Sequence, residues 1–157
     1  MKSMVFKIVG NVHIVIHGTT DPIEEDWRLY MNAVRSEERK MADFGKMRTL
    51  VFSAGGGPNA KHRKEINEFL GGRATPVAIV TSSTVMRGVV TALQWFNPLA
   101  RAFSPDNVVA AMQFLGTSDG ESSVLWAEAK KLQTSVGAPA SKSINLDSLN
   151  PPGASAR

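Results

Sequence analysis

Apolar residues recur along this chain at two different spacings, one typical of strands and the other of helices. The first two strand-like segments are residues 4–10 and 12–17, and a turn at Gly10 and Asn11 separates them. Their apolar positions are Val5, Ile8, Val12, Ile14 and Ile16. Two such segments joined by a Gly-Asn pair predict a β-hairpin.

A long helix and a buried strand are predicted next. Asp21 and Pro22 commonly open helices, because Asp caps exposed N–H groups and Pro at the first helical position loses no needed donor. We expect this helix to run to about Gly45. Its apolar positions, at helical spacing, are Ile23, Trp27, Tyr30 and Val34. The continuous apolar character of residues 47–52 then predicts a strand buried on both faces.

The middle of the chain indicates the sheet topology. The apolar run 77–83 passes through a hydroxyl-rich turn into a helical segment, 85–96, and a short strand at 100–103 follows. This order is typical of a crossover between parallel strands. Three further helices are predicted. The first covers residues 60–70 and is ended by Gly71 and Gly72. The second is capped by Ser104-Pro105-Asp106 and has its apolar positions at Val108, Val109, Met112 and Leu115. The third covers residues 121–132 and can lie against the sheet or reach a partner.

These elements predict an α/β fold, a mixed β-sheet of about five strands with helices packed on it. The chain has 157 residues, the size of a single domain, which we place at residues 1–134. From residue 135 the composition shifts to Ala, Ser, Pro and Gly, so residues 135–157 are predicted to be a mobile tail. Within this tail, Ile144, Leu146 and Leu149 form the part able to dock.

Composition narrows the possible functions. Hydrophobic residues make up 43% and charged residues 20%, as in a folded globular protein, and the absence of cysteine removes disulfides and thiolate chemistry. No segment approaches the about 20 apolar residues of a membrane span, and no cleavable signal is evident, so we expect a cytoplasmic protein. The net charge of +4 favours anionic partners, but the basic residues are scattered among acidic ones, which argues against nucleic-acid binding.

The order of elements resembles the STAS domain, the fold of bacterial anti-sigma-factor antagonists and of the cytoplasmic ends of sulfate transporters. Residues 77–83, 86–96, 101–106 and 111–115 look like the STAS-like, SpoIIAA-like bacterial proteins, which are related in shape to a family of lipid-binding domains. The resemblance covers about residues 4–116. It implies a regulatory domain that works by binding a protein partner rather than by catalysis.

In the antagonists, a Ser or Thr in an Asp-Ser motif at the start of the helix after the third strand is phosphorylated. The corresponding loop here runs from Ser53 to Lys61 and contains no Asp-Ser pair. Ser53 is its only hydroxyl, so the resemblance makes Ser53 the candidate phospho-acceptor. It departs from the pattern of the antagonists, because it lies at the end of the strand rather than at the start of the helix. The alternative is structural: Ser53 accepts a hydrogen bond from a neighbouring loop amide.

The same loop is a candidate site for an anion or an acidic partner. Glycines before a helix let backbone N–H groups face an anion, and basic residues in the first helical turn strengthen the interpretation. The residues are Gly55, Gly56, Gly57, Asn59, Lys61, His62 and Arg63. The P-loop motif is absent, because Ala60, Lys61 and His62 stand where it requires Gly, Lys and Ser or Thr. The alternative is a solvated basic face on a glycine-rich loop.

A second candidate anion site contains Ser82, Ser83 and Arg87 at the carboxyl end of the 77–83 run. Its structural alternative is that Ser82 or Ser83 is a helix N-cap. We predict no metal site, because Cys is absent and no His-x-x-x-His helix occurs, and we assign no cofactor or catalytic residue. The large aromatic residues are interpreted as core or interface anchors: Trp27, Trp95, Phe96 and Trp126.

The sequence thus favours a non-enzymatic domain that binds a protein partner through the loop after the third strand. One alternative is a small-ligand domain for a lipid, a nucleotide or an anion, with an apolar pocket beneath the helices. Another is a homo-oligomeric scaffold that uses the hairpin edge or the last helix with Trp126.

Overall fold

The computed structural model describes residues 2–136 and Leu146. In this part of the chain, five strands alternate with helices as the sequence predicts. The strands are β1 Met4–Val9, β2 Val12–His17, β3 Arg48–Ser53, β4 Val77–Thr81 and β5 Ala100–Phe103. The helices are α1 Glu24–Lys40, α2 Ala60–Leu70, α3 Thr84–Leu93, α4 Val108–Leu115 and α5 Asp119–Gln133.

The strands form one mixed sheet in the order β1-β2-β3-β4-β5. β1 and β2 pair antiparallel as a hairpin, and Gly10 in its turn has a φ of 59°. β2, β3, β4 and β5 run parallel to one another. The predicted α/β fold with a five-stranded mixed sheet is therefore confirmed.

Helices cover both faces of the sheet. α1, α2 and α3 pack on one face, where Val15, Val51 and Ile79 point. α4 and α5 pack on the other face, where Ile14 and Ile16 point, because successive side chains of a strand alternate between faces. The three crossovers that join β2 to β5 thus lie on one face, so the winding does not reverse at any point between these strands.

The start of α1 differs from the prediction. The helix begins at Glu24, and its N-cap position is Ile23, which is 53% exposed and provides no side-chain cap. Asp21 does not cap it, because the Ser3 hydroxyl beside β1 accepts a hydrogen bond from the Ile23 N–H at 2.9 Å. The helix also ends at Lys40, and Gly45 lies in a separate 3-10 turn, Phe44–Lys46.

α5 lies against the sheet, which answers the question that the sequence left open. A capping box between Ser118 and Glu121 begins the helix, and Trp126 belongs to the core between α5 and the sheet, so this side chain is not presented to an oligomer partner. Leu146 is 1% exposed in the same core, and its N–H donates to the side chain of Gln133 at 3.2 Å. Ile144, Leu149 and the rest of the predicted tail beyond residue 136 lie outside the described residues.

Candidate functional site

The predicted loop between β3 and α2 lies at the carboxyl edge of the sheet and packs tightly against its neighbours. The Gly56 N–H donates to the carbonyl of Gly18 at 2.9 Å, and a β-carbon at Gly56 would lie 2.0 Å from the carbonyl oxygen of Thr20. A β-carbon at Gly57 would lie 2.8 Å from the sulfur of Met86. Close approach to other segments therefore accounts for both glycines.

Ser53 is fully buried beneath this loop. Its hydroxyl donates to the carbonyl of Gly56 at 2.5 Å and accepts from the N–H of Gly55 at 3.1 Å. The loop-amide hydrogen bond of the structural alternative is thus present. In this conformation the hydroxyl is inaccessible to a phosphorylating enzyme, and the loop would have to open to expose it.

Backbone donors of the loop are bound to acceptors inside the protein. The Ala54 N–H donates to the backbone carbonyl of His17 at 3.2 Å. The Gly55 N–H donates to the Ser53 hydroxyl, and the Gly56 N–H donates to the carbonyl of Gly18. At the start of α2, Asn59 and His62 form a capping box in which each side chain accepts from the other residue's N–H. The N–H groups of Ala54, Gly55, Gly56, Asn59 and His62 are therefore engaged inside the protein, whereas an anion cradle requires such groups to bind the ligand.

The basic residues at the start of α2 also have partners. Lys61 is exposed and forms an ion pair with Glu24 of α1 at 3.0 Å, and its hydrogen bond is the main cause that lowers the pKa of Glu24. His62 has no exposed surface, stacks on Trp27 at 4.5 Å between ring centres and places Nε2 3.3 Å from Glu24. Arg63 donates to the carbonyl of Pro58 at 2.7 Å. His62 is thus an interior residue and not part of a surface anion site.

The second predicted cluster lies directly beside the first. The Thr81 hydroxyl donates to the carbonyl of Ser53 at 3.0 Å, which ties the ends of β3 and β4 together. Ser83 is the N-cap of α3 and accepts from the Met86 N–H at 3.2 Å, so the capping interpretation is confirmed for Ser83. Ser82 and Arg87 are exposed, and an Nη atom of Arg87 lies 3.4 Å from the carbonyl of Thr81.

Sequence reasoning did not separate the buried side of α3 from its exposed side. Met86 and Val90 point into the core, whereas Val85 is 76% exposed, Trp95 85% and Phe96 64%. We name the exposed side the α3 face and define it by Val85, Gly88 and Ala92 on the helix together with Trp95 and Phe96. The predicted helix over 85–96 ends earlier, at Leu93, so Trp95 and Phe96 lie in the hydrogen-bonded turn that follows it. Because apolar residues occur on both sides of this helix, periodicity did not indicate which side is buried.

The α3 face lies beside a groove and in a positive environment. The groove, of about 470 Å³, runs between α2 and the end of α3 and is lined by Ala60, Arg63, Lys64, Asn67, Glu68 and Phe96. Arg63 and Lys64 line this groove, and Arg87 is an exposed residue of α3. Arg73 does not add to this charge, because it forms an ion pair with Glu38 at 2.8 Å. An exposed apolar surface with basic neighbours is typical of a binding surface rather than of a solvated face.

A cavity of about 100 Å³ lies between the sheet and α1 to α3. Its lining is largely apolar, with Trp27, Tyr30 and Met86, and includes His17. The Nδ1 atom of His17 is buried and has no hydrogen-bond partner, and burial lowers the pKa of this histidine to about 4. A neutral imidazole therefore lines the cavity with an unused polar atom.

No helix within residues 2–136 is both long and apolar enough to cross a membrane. Comparisons with protein-family models, with curated proteins and with solved structures returned no match. The resemblance to the STAS domain therefore stays a prediction, and the proposals below are argued from the geometry of the described residues.

Proposed function

We propose that this protein is a non-enzymatic interaction domain of the STAS-like type that binds a protein partner. The observation that carries the proposal is the exposure of three large apolar side chains, Val85, Trp95 and Phe96, on the α3 face. Tryptophan in particular contributes much binding energy where it is buried in an interface, and a contiguous exposed apolar patch is typical of an interaction site.

The proposed surface adjoins the loop after β3 that the sequence favours. Gly57 of that loop packs against Met86 on the inner side of α3, and Arg63 at the start of α2 lines the groove that contains Phe96. Tight packing of the loop supports a role as a rigid border of the surface. Binding is favoured over catalysis because the polar groups predicted as a site, Ser53, Asn59 and His62, are engaged with one another and with the backbone.

The proposal is tested with an aromatic photo-crosslinking residue, p-benzoylphenylalanine, which keeps a large apolar side chain at position 95 on the α3 face; the matched control has the same residue at position 124 on α5. Val124 is 50% exposed but lies on the opposite side of the sheet. We expect a specific crosslink to another protein from position 95 alone. The captured protein is then purified and titrated with wild type, Trp95→Ser and Val124→Ser.

We expect Trp95→Ser to weaken binding by about 30-fold or more, and Val124→Ser to leave it unchanged, because truncation of a buried aromatic anchor typically removes at least 2 kcal/mol. Circular dichroism must show that both variants fold. Equal crosslinking from both positions, or equal affinity of the two variants, would contradict the proposal.

A second candidate function is the binding of a small molecule in the interior cavity, and the unpartnered Nδ1 of His17 favours it. A cavity of about 150 Å³ holds a benzene molecule, so the cavity of about 100 Å³ suits a molecule smaller than benzene with one hydrogen-bond donor. A lipid or a nucleotide would require α1 to α3 to move apart. Pyrrole, which has an N–H donor, should then raise the melting temperature more than furan, which has the same ring size and no donor. His17→Leu should remove the difference, and equal shifts with both probes would exclude this site.

A further inference from the structure

We infer that the partner segment of the α3 face is an acidic amphipathic helix that packs on the exposed row of α3, with the groove between α2 and Phe96 at one side of it. This inference rests on the proposed function and adds the chemistry and shape of the partner. Three independent features of the described residues carry it: the spacing of the exposed apolar positions, the charge around them and the concave shape beside them.

The spacing of the exposed positions matches a helix–helix contact. Val85, Gly88, Ala92 and Trp95 follow one another at intervals of three, four and three residues. These intervals repeat the a and d positions of helices that pack along each other. Val85, Gly88 and Ala92 lie on α3 itself and span about 10 Å at the helical rise of 1.5 Å per residue. Trp95 lies in the turn after Leu93, and its N–H donates to the carbonyl of Ala92, so it continues the row at the end of the helix.

Gly88 adds a second observation about the same seam. Glycine inside a helix is unfavourable relative to alanine, and it is usually retained where close packing or an unusual backbone angle requires it. A β-carbon at Gly88 would meet no atom within 4 Å, and its φ is not in the left-handed region. Neither a contact within residues 2–136 nor the backbone angle therefore explains Gly88, whereas the close approach of a second helix over Gly88 and Ala92 does.

The charge around the seam selects an acidic partner. Arg63, Lys64 and Arg87 border the α3 face, and the hydrogen bonds of Arg63 and Arg87 go to backbone carbonyls, which do not neutralise their charge. Glu68 is the acidic residue of the groove lining, and it lies 3.9 Å from Lys64. Carboxylates on a partner helix would meet this uncompensated positive charge.

Two other occupants, a second copy of this chain and an anionic bilayer, are outcomes of the test below. A second copy has the same excess of positive charge around its own α3 face, so charge complementarity is absent. An anionic bilayer suits the charge, but Gly88 in the exposed row favours the close approach of a helix.

The test is a selection from a displayed library of random 16-residue peptides on the full-length protein, with the double variant Trp95→Ser/Phe96→Ser for counter-selection. Both residues are largely exposed, so this variant should fold. We expect enriched peptides that are net negative, with large apolar residues every three or four positions. Trp27 and Trp126 are buried and do not contact the peptide, so the change in tryptophan emission during titration with a synthesised peptide reports on Trp95.

Charge reversal then separates the roles of the bordering cations. Arg63→Glu and Arg87→Glu should each weaken the best peptide by about tenfold, while Arg39→Glu, on an exposed residue at the end of α1, should have no effect. Affinity should also fall as salt is raised.

Each contrary result has a distinct meaning. Selected peptides that need Trp95 but are neutral or basic, or that lack the helical spacing, overturn this inference and leave the proposed function standing. If no enriched peptide depends on Trp95, the inference fails, and the crosslinking experiment decides the proposed function separately. Binding of phosphatidylglycerol vesicles, or self-association in sedimentation, that is lost in the Trp95→Ser/Phe96→Ser variant assigns the face to a membrane or to a second copy and overturns the inference.

Discussion

Two histidines of β2 should make this protein sensitive to mild acid. His13 and His17 point to the α1–α3 face of the sheet and are 1% and 4% exposed. Burial lowers the pKa of His13 to about 4, although the charge of Glu37 opposes the shift. Burial also lowers the pKa of His17 to about 4, and the electrostatic effect of the nearby His62 acts in the same direction.

The sign of the effect follows from where protons bind. In the unfolded chain a histidine has a pKa of about 6.5, so between pH 6.5 and pH 4 the unfolded state binds protons that the native state does not. The stability that both histidines contribute is thus fully present above pH 6.5 and is lost as the pH falls toward 4. Each histidine accounts for about 3 kcal/mol over this range, a large fraction of the 5 to 15 kcal/mol typical of a domain.

Carboxylates change the stability of the protein at lower pH than the histidines do. The contribution of the histidines can therefore be measured separately. The pKa of Asp26 is lowered below its ordinary value of 3.8, because hydrogen bonds from Ser3 and Lys2 outweigh the opposing effect of burial. The pKa of Glu65 is lowered below 4.5, chiefly by the hydrogen bond from Trp27. These groups contribute stability that is present above their unfolded pKa and lost only as the pH falls further.

Urea denaturation at a series of pH values from 7.5 to 4.5 measures the effect. The free energy of unfolding of wild type should fall most steeply near pH 5, and the substitutions His13→Leu and His17→Leu should each reduce that slope by about 1.4 kcal/mol per pH unit. The slope, rather than the absolute stability of each variant, is the readout. An unfolding free energy that is equal at pH 7 and pH 5, or a double variant with an unchanged slope, would refute the reasoning.

Three further predictions concern contacts that hold the fold together. Asp26→Asn should lower the free energy of unfolding at pH 7 by about 2 kcal/mol, because the buried carboxylate accepts hydrogen bonds from the N–H and the hydroxyl of Ser3; an unchanged urea midpoint would count against this. Gly56→Ala should destabilise by more than about 2 kcal/mol, since its β-carbon would lie 2.0 Å from the carbonyl oxygen of Thr20; a melting temperature equal to that of wild type would show that the loop packs differently. Leu146→Ala should destabilise by about 2 to 5 kcal/mol because this side chain is 1% exposed in the core, and a loss below about 0.5 kcal/mol would contradict its docking.

Elements whose ends depend on local chemistry were predicted well from the sequence. α2 begins at Ala60 and ends at Leu70 as expected, and Gly71 closes it in the left-handed conformation with a φ of 56°. β5 also has the predicted bounds. Caps and helix-ending glycines act on neighbouring residues only, so their effect can be read along the chain.

The candidate site was predicted only in outline. The position of the loop after β3 was enough to predict it as a candidate site. The contacts that bury His62, however, are made with Trp27 and Glu24, which lie in another helix. Ser53 likewise becomes inaccessible only because the loop folds over it. Contacts between segments distant along the chain were not available to a local interpretation.

The sequence by itself determined the class of the fold, since strand and helix periodicities and their order leave few ways to bury the apolar residues. Tertiary structure alone decided which side of α3 is buried. That helix is apolar on two sides, and both orientations satisfy its periodicity; packing of Met86 and Val90 on the sheet selects one. As a result Trp95 and Phe96, which the sequence identified only as core or interface anchors, are exposed to solvent. Burial is a property of the assembled layers and not of the segment, and this is why the proposed binding surface emerged only from the folded chain.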